Sequence, residues 1–295
     1  MRNKIYKKLI IIFFNLFFIN LASAQNIEFK ATDIEFFQDQ NLTVAKNGIV
    51  IIKEDKISAE GDEIKYFKDQ SLLLIKEGKI FKSDENIEIS SENIEYKINE
   101  SNLTMKKNVK IEDKKNNLFI NSNKISYDVI NQLITSKTQS EIFDDSGNTY
   151  KVKEFEYSIE KKIIKLNKLN AFDSNKNFFV VDLAYLDLAK QELLAKDVNL
   201  SFKISKDSQN EPRLKGRGLI NDQNNTIVKK GTFTFCKKRE KCPPWEMSAE
   251  EIRHDKKKKT INYKNASLKI YDQKVFYFPK FFHPDPTVKR QTGFL

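Results

Sequence analysis

An aromatic residue returns at a nearly constant interval along the first two thirds of this chain. The series is Phe36, Tyr66, Tyr96, Tyr127, Tyr157 and Tyr185, with steps of 30, 30, 31, 30 and 28 residues. Each is preceded two positions earlier by an apolar residue: Ile34, Ile64, Ile94, Ile125, Phe155 and Leu183. A second apolar pair or run follows each marker, at Leu42/Val44, Leu72/Leu74, Leu103/Met105, Leu133, Ile163/Ile164 and Leu193/Leu194. A third short stretch then opens on a polar or turn-like residue, as in Gly48-Ile49-Val50, Gly78-Lys79-Ile80 and Asp197-Val198-Asn199. The step of two inside each stretch is that of a strand and not of a helix. Polar turns such as Lys68-Asp69-Gln70 divide the stretches, so the spacing predicts units of about three short strands.

A unit of this length cannot bury an apolar face alone and gains a core only by stacking on its neighbours. The sequence therefore predicts an all-β, solenoid-like array. A helical repeat is the rival, and the β-branched and aromatic residues at alternating positions speak against it. No proline occurs between residues 25 and 211, as suits strands that would each lose a ladder hydrogen bond to one. Outward positions carry Glu35, Lys65, Glu95 and Lys97, while the inward ones are the marker pairs. Those twelve, Ile34, Phe36, Ile64, Tyr66, Ile94, Tyr96, Ile125, Tyr127, Phe155, Tyr157, Leu183 and Tyr185, line either a packed core or a groove for a long apolar ligand. Periodicity does not separate the two. The open ends of such an array are unpaired strand edges, suited to end-to-end joining with a protein of the same architecture.

Two flanking regions differ from the repeats. Residues 1–24 carry Arg2, Lys4, Lys7 and Lys8, an apolar run from Leu9 to Leu21, and Ala22-Ser23-Ala24. This is the pattern of a cleaved export signal; the alternative, a retained anchor, would have a short span interrupted by Asn15 and Asn20. Residues 25–200 hold 26 Lys and Arg against 31 Asp and Glu, whereas residues 201–295 hold 22 against 10. All six prolines lie in the second region. The expected division is thus a signal over 1–24, a repeat domain over 25–205 and a basic, proline-containing segment over 206–295.

The last region contains "TFTFC" ending at Cys236, then Trp245 with "SAEEIRHD", "NASLKIYDQKVFYFP" and "HPDPTVKRQTGFL". These pieces resemble the LptD family of lipopolysaccharide assembly proteins, in its alphaproteobacterial form. The upstream repeats are similar to the periplasmic β-jellyroll that this family shares with LptA. The resemblance implies an exported protein at the periplasmic face of the outer membrane. Its jellyroll would receive lipopolysaccharide from an LptA-type bridge by strand pairing and hold the acyl chains in an apolar groove. In the family a large barrel follows the "GFL" motif, plugged by an LptE-type lipoprotein. This sequence stops at Leu295, so the expectation is the front part of such a protein, and an LptE-type partner only where a barrel is present. The alternatives are a soluble bridge-like lipopolysaccharide-binding protein and a structural β-solenoid with a filled core.

The residues offer little to other functions. Cys236 and Cys242, in an exported protein, read most simply as a disulfide. Within the family a cysteine at the first position pairs with one in the barrel, so a local Cys236–Cys242 bond and a barrel partner both stay open. Two histidines and no nucleophile motif predict no enzyme, no catalytic residues, no metal and no cofactor. Export makes nucleic acid a poor partner despite the basic end. Lys256–Lys259 is either an exposed hairpin tip or a site of attraction to lipid phosphates. Val275–Pro286 is the densest aromatic stretch, either a strand before a proline-rich turn or a membrane-interface segment.

Overall fold

A computed structural model describes residues 27–174, 176–202, 212–236 and 243–288. The expected signal segment and Cys242 lie outside the described residues. The strands in the first half are β1 (Ile27–Phe37), β2 (Leu42–Ile52), β3 (Ile57–Phe67), β4 (Leu72–Lys82), β5 (Ile87–Lys97), β6 (Asn102–Asp113) and β7 (Leu118–Asp128). Four shorter ones follow: β8 (Leu133–Ser136), β9 (Ser140–Phe143), β10 (Thr149–Val152) and β11 (Glu154–Ser158). The rest are β12 (Ile163–Phe172), β13 (Phe178–Asp187), β14 (Glu192–Ser201), β15 (Arg213–Asn221), β16 (Asn225–Thr234), β17 (Trp245–Asp255), β18 (Thr260–Ile270) and β19 (Gln273–Pro284). They form one antiparallel sheet in which successive strands pair. β8 with β9, and β10 with β11, each act as one broken strand. The chain is all-β, as its spacing predicts.

The thirty-residue unit is a hairpin of two long strands, not three short ones. What looks like a third strand is the second half of a long strand with a bulge at its middle. In β4, Leu73 and Ile75 face inward, then Gly78, Ile80 and Lys82 do, so the alternation slips by one at Glu77. Glu77 has a left-handed backbone, φ 46°, and it is skipped in the pairing with β5. The same slip occurs at Asn47 in β2, Lys168 in β12, Asp197 in β14, Lys230 in β16 and Asn265 in β18, all with φ near 50°. An extra residue in the left-handed region bends a strand without breaking its ladder. Because every neighbour bulges at the matching place, the line of bulges is a crease running across the whole sheet. The sheet folds along it, and both halves turn the same face inward.

Space inside the crease is tight, and small residues occupy it. A Cβ built on Gly78 would lie 2.7 Å from Ile75 Cγ2 and 2.8 Å from Ile94 Cδ1. On Gly61 it would lie 2.3 Å from Ile75 Cγ2. In the broken strands the crease holds a hydroxyl knot instead: Ser140 Oγ donates to Ser122 Oγ at 2.9 Å and Ser136 Oγ to the Lys124 carbonyl at 2.8 Å. Pro279 sits on the crease of β19, between the pairs Lys264↔Lys280 and Ala266↔Phe278. There the ladder is interrupted and the missing N–H costs nothing.

The β14–β15 pairing spans the expected boundary near residue 205, so the change in composition is not matched by a break in the sheet. Turns at one end of the strands stack as well. Left-handed Asn41, Ser71, Ser101, Gln132, Lys162 and Gln191 recur there, and backbone bonds such as Ile98 N–H to the Ser71 carbonyl (2.9 Å) link each turn to the next. Among the described residues no helix is long and apolar enough to cross a membrane.

Candidate functional site

The apolar interior runs without interruption from Ala45 in β2 to Ala266 in β18. Ile64, Ile94, Tyr96, Ile125, Tyr127, Phe155 and Tyr157 are buried in it. Ile34 and Tyr66 are half-buried towards the β1 end. Phe36 keeps the inward phase but is 73% exposed, because β1 is the edge strand and no other described strand covers it. Leu183 and Tyr185 are a correction. They point outward, Tyr185 being 41% exposed, while Ala184 and Leu186 fill the interior. β13 slips at Asp182 as its neighbours do at their own creases, and the inward residue equivalent to Tyr157 is Leu186, one position beyond the aromatic.

The two halves of the folded sheet are tied together along the side opposite the crease. Tyr96 hydroxyl donates to Asp55, Tyr127 to Glu85 at 2.5 Å, and Tyr157 to Asp113. Each tyrosine is next to last in its strand. Each acceptor belongs to a turn or strand end at the far end of the neighbouring strands. An eleven-residue strand laid straight spans about 33 Å, so these bonds form only because the crease brings the strand ends face to face. The spacing repeats, at 41, 42 and 44 residues. We refer to this line as the seam and to each pair as a clasp.

The clasps are chemically well matched. Burial, then the adjoining carboxyl, push all three phenols well above their usual range, so they stay protonated and donate. Burial also raises the Glu85 carboxyl, with the Tyr127 bond working against it. One Glu85 oxygen, Oε1, is buried with no hydrogen-bond partner. The clasps escape a reading of the sequence alone because each acid lies in an unremarkable polar turn.

The seam changes after Tyr157. At the next two inward positions stand Leu186 and Asn221, paired with Leu193 and Thr226 in the neighbouring strands. Opposite them lie Asp144 and Asp173, which accept bonds within their own turns. Asp144 takes Asn148 N–H at 2.9 Å and the Tyr150 hydroxyl at 2.8 Å; Asp173 takes Asn177 N–H at 2.8 Å. A cavity of about 320 Å³ occupies this stretch, bounded by Leu186, Leu193, Asn221, Asp144, Asp173 and Lys256.

The remaining residues take structural places. Cys236 follows β16, its half-buried thiol 3.9 Å from the Trp245 carbonyl and without a disulfide partner among the described residues; Cys242, the expected local partner, lies outside them. Lys256–Lys259 is the β17–β18 turn: Lys257, Lys258 and Lys259 are exposed, but Lys256 turns inward to donate to the Asp222 carbonyl at 2.6 Å. His254 meets Asp285 at 2.8 Å; burial opposes ionisation of that acid, yet bonds from His254 and Thr287 hold it down to about 2. His283 accepts from Tyr263 hydroxyl at 2.8 Å and lies near the Pro284 carbonyl, at 2.6 Å. Among the described residues no cluster of His, Cys, Asp and Glu is arranged to hold a metal ion. The aromatic stretch falls in β19 (Gln273–Pro284), whose Val275, Phe276, Tyr277 and Phe282 are exposed at the sheet edge.

No family model matches this sequence, and no curated protein matches it. Among solved structures, the chain is similar to LptH of Pseudomonas aeruginosa, described as the LptA-homologous periplasmic component of a conserved lipopolysaccharide transport device. The identity is 13% and the TM-score 0.22, with 48% of this chain and 82% of LptH covered. A likeness this loose carries no weight for function.

Proposed function

We propose that the folded sheet is a carrier for lipopolysaccharide, its acyl chains lying between the two half-sheets on their way toward an outer-membrane translocon. The observation that carries this reading is one continuous apolar interior flanked by the edge strands β1 and β19, each with one partner among the described residues. An interior of that form suits a ligand that moves along it, and the edges suit an LptA-type neighbour joined by strand pairing. The motifs between Cys236 and Leu295 that resemble the LptD family support the same reading. The role is one of binding and passage, without catalysis.

Energetics restrict how such a carrier works. Burial of acyl chain contributes about 0.8 kcal/mol per methylene, so several chains would leave too slowly by simple dissociation. Transfer then proceeds by exchange between similar apolar sites, with direction supplied elsewhere, as no phosphate-binding Gly-Lys-Ser/Thr motif occurs in the chain. The rival reading, a structural β-solenoid, draws on the dense filling of the interior. Under the carrier reading that filling is the lipid-free state, and the half-sheets part to admit a chain.

Site-specific photo-crosslinking in cells distinguishes the two. A probe at Ile94, which is buried, is expected to capture lipopolysaccharide, and one at Glu95, on the outer face, to capture none. A folded, exported protein with no adduct at Ile94 would overturn the carrier reading in favour of a filled core.

A further inference from the structure

We infer that the unclasped stretch of the seam at Leu186 and Asn221 is a lateral portal, where acyl chains slip between the half-sheets from the side. This rests on the carrier reading above. Three successive inward strand-end positions bear tyrosines that clasp a carboxyl on the opposite half. At the fourth, the tyrosine is replaced by Leu186, which has no hydrogen-bonding group. At the fifth stands Asn221, whose side-chain oxygen accepts from Thr226 at 2.7 Å on its own side of the seam. The opposing Asp144 and Asp173 still occupy the acceptor positions but take bonds from their own turns. The missing clasps and the cavity therefore fall at one place.

The cavity has the polarity that an acylated amphiphile requires. Leu186, Leu188 and Leu193 give it an apolar floor continuous with the interior. Asp144, Asp173, Gln191 and Gln223 stand around it, and Gln223 donates to Gln191 along one rim, between adjacent turns. Its volume of about 320 Å³ is ample for the front of an alkyl chain; a cavity of about 150 Å³ already accepts benzene. At the three clasped positions, an incoming chain would first have to break a buried phenol–carboxyl bond, at about 1.5–3 kcal/mol each. Here the phenol–carboxyl bond, from Tyr150 to Asp144, lies within one half-sheet and does not cross the seam. Acyl chains meet leucine while the hydroxyls of a sugar headgroup find carboxyl and amide acceptors at the rim.

The test restores the missing clasp. Leu186→Tyr places a phenol opposite Asp144, in the arrangement of Tyr157 and Asp113. Loading of the full chain with fluorescently labelled lipid A is followed by stopped flow, with occupancy at equilibrium measured separately. The expected result is loading slowed about tenfold, the effect of some 1.4 kcal/mol of added barrier. Should Leu186→Tyr fail to fold by circular dichroism, Gln191→Cys in a Cys236→Ser/Cys242→Ser background carries the test. Capping that exposed thiol with a bulky maleimide is expected to slow loading relative to the same protein uncapped. Native rates in the folded variant or the capped protein would overturn the portal while leaving the carrier reading intact. Absence of lipid A binding by the native chain would overturn both.

Discussion

A hydroxyl buried against a carboxyl can hold two sheets together only if neither group is left alone. In the Tyr127–Glu85 clasp both are buried, and the phenol is the one partner assigned to the acid's Oε2. Tyr127→Phe leaves that oxygen without its donor, and we expect a loss of about 1.5–3 kcal/mol in urea unfolding. A loss under about 0.5 kcal/mol would mean that packing alone closes the seam. The same acid makes a pH prediction of definite sign. Its folded-state pKa is raised, chiefly by burial, so the folded protein keeps a proton that the unfolded chain has lost. Its effect is therefore to raise stability as pH falls from neutral toward the ordinary carboxyl range. Glu85→Gln, which keeps an acceptor for Tyr127, is expected to melt higher than the native chain at pH 7. The gap should close by about pH 4, where the native acid is protonated in both states; a gap constant across thermal melts would contradict this.

At the scale of the strand, the bulge governs everything else. Glu77 holds φ at 46°, a conformation that costs a side-chain-bearing residue about 1–2 kcal/mol. Glu77→Gly is expected to be neutral within about 1 kcal/mol, while Glu77→Val, branched at Cβ, destabilises by at least the strain it adds. Gly78→Ala pushes a methyl group into Ile75 and Ile94 at the crease, and about 1–3 kcal/mol of overpacking is expected. Denaturant unfolding of the three variants measures all of this, and an unaffected Gly78→Ala would show that the crease has slack. The bulges also explain what a reader of the sequence sees and misses. Strand character was legible because alternation within each half-strand is strict. Strand length was not, since a slip of one residue at Asn47 or Glu77 looks the same as the start of a new strand. The inward tyrosines were legible up to Tyr157. Tyr185 misled because the aromatic sits one residue before the position that faces in. The clasps were out of reach because tyrosine and acid are brought together by the fold at the crease, over more than forty residues of chain.

For the molecule as a whole, each strand touches little beyond its neighbours, so stability should be graded along the array. Hydrogen–deuterium exchange is expected to be fastest in β1 and β19, which have one described neighbour each, and slowest in β3 to β11, which the clasps tie together. Uniform protection from end to end would mean a single cooperative unit and would contradict the nearest-neighbour picture. Charge follows another gradient, with the acidic excess on the early strands and the basic excess on the late ones. The regular spacing of the clasps has an evolutionary corollary. Excising residues 57–86 would delete one whole hairpin and rejoin β2 to β5 through the remaining turn. Tyr127 would then stand as far along the chain from Asp55 as it now stands from Glu85, and Tyr96 would inherit the unclasped terminal place of Tyr66. The fastenings are interchangeable parts, so such a protein can be lengthened or shortened by whole units, its reach adjusted by duplication or loss without redesigning a single joint.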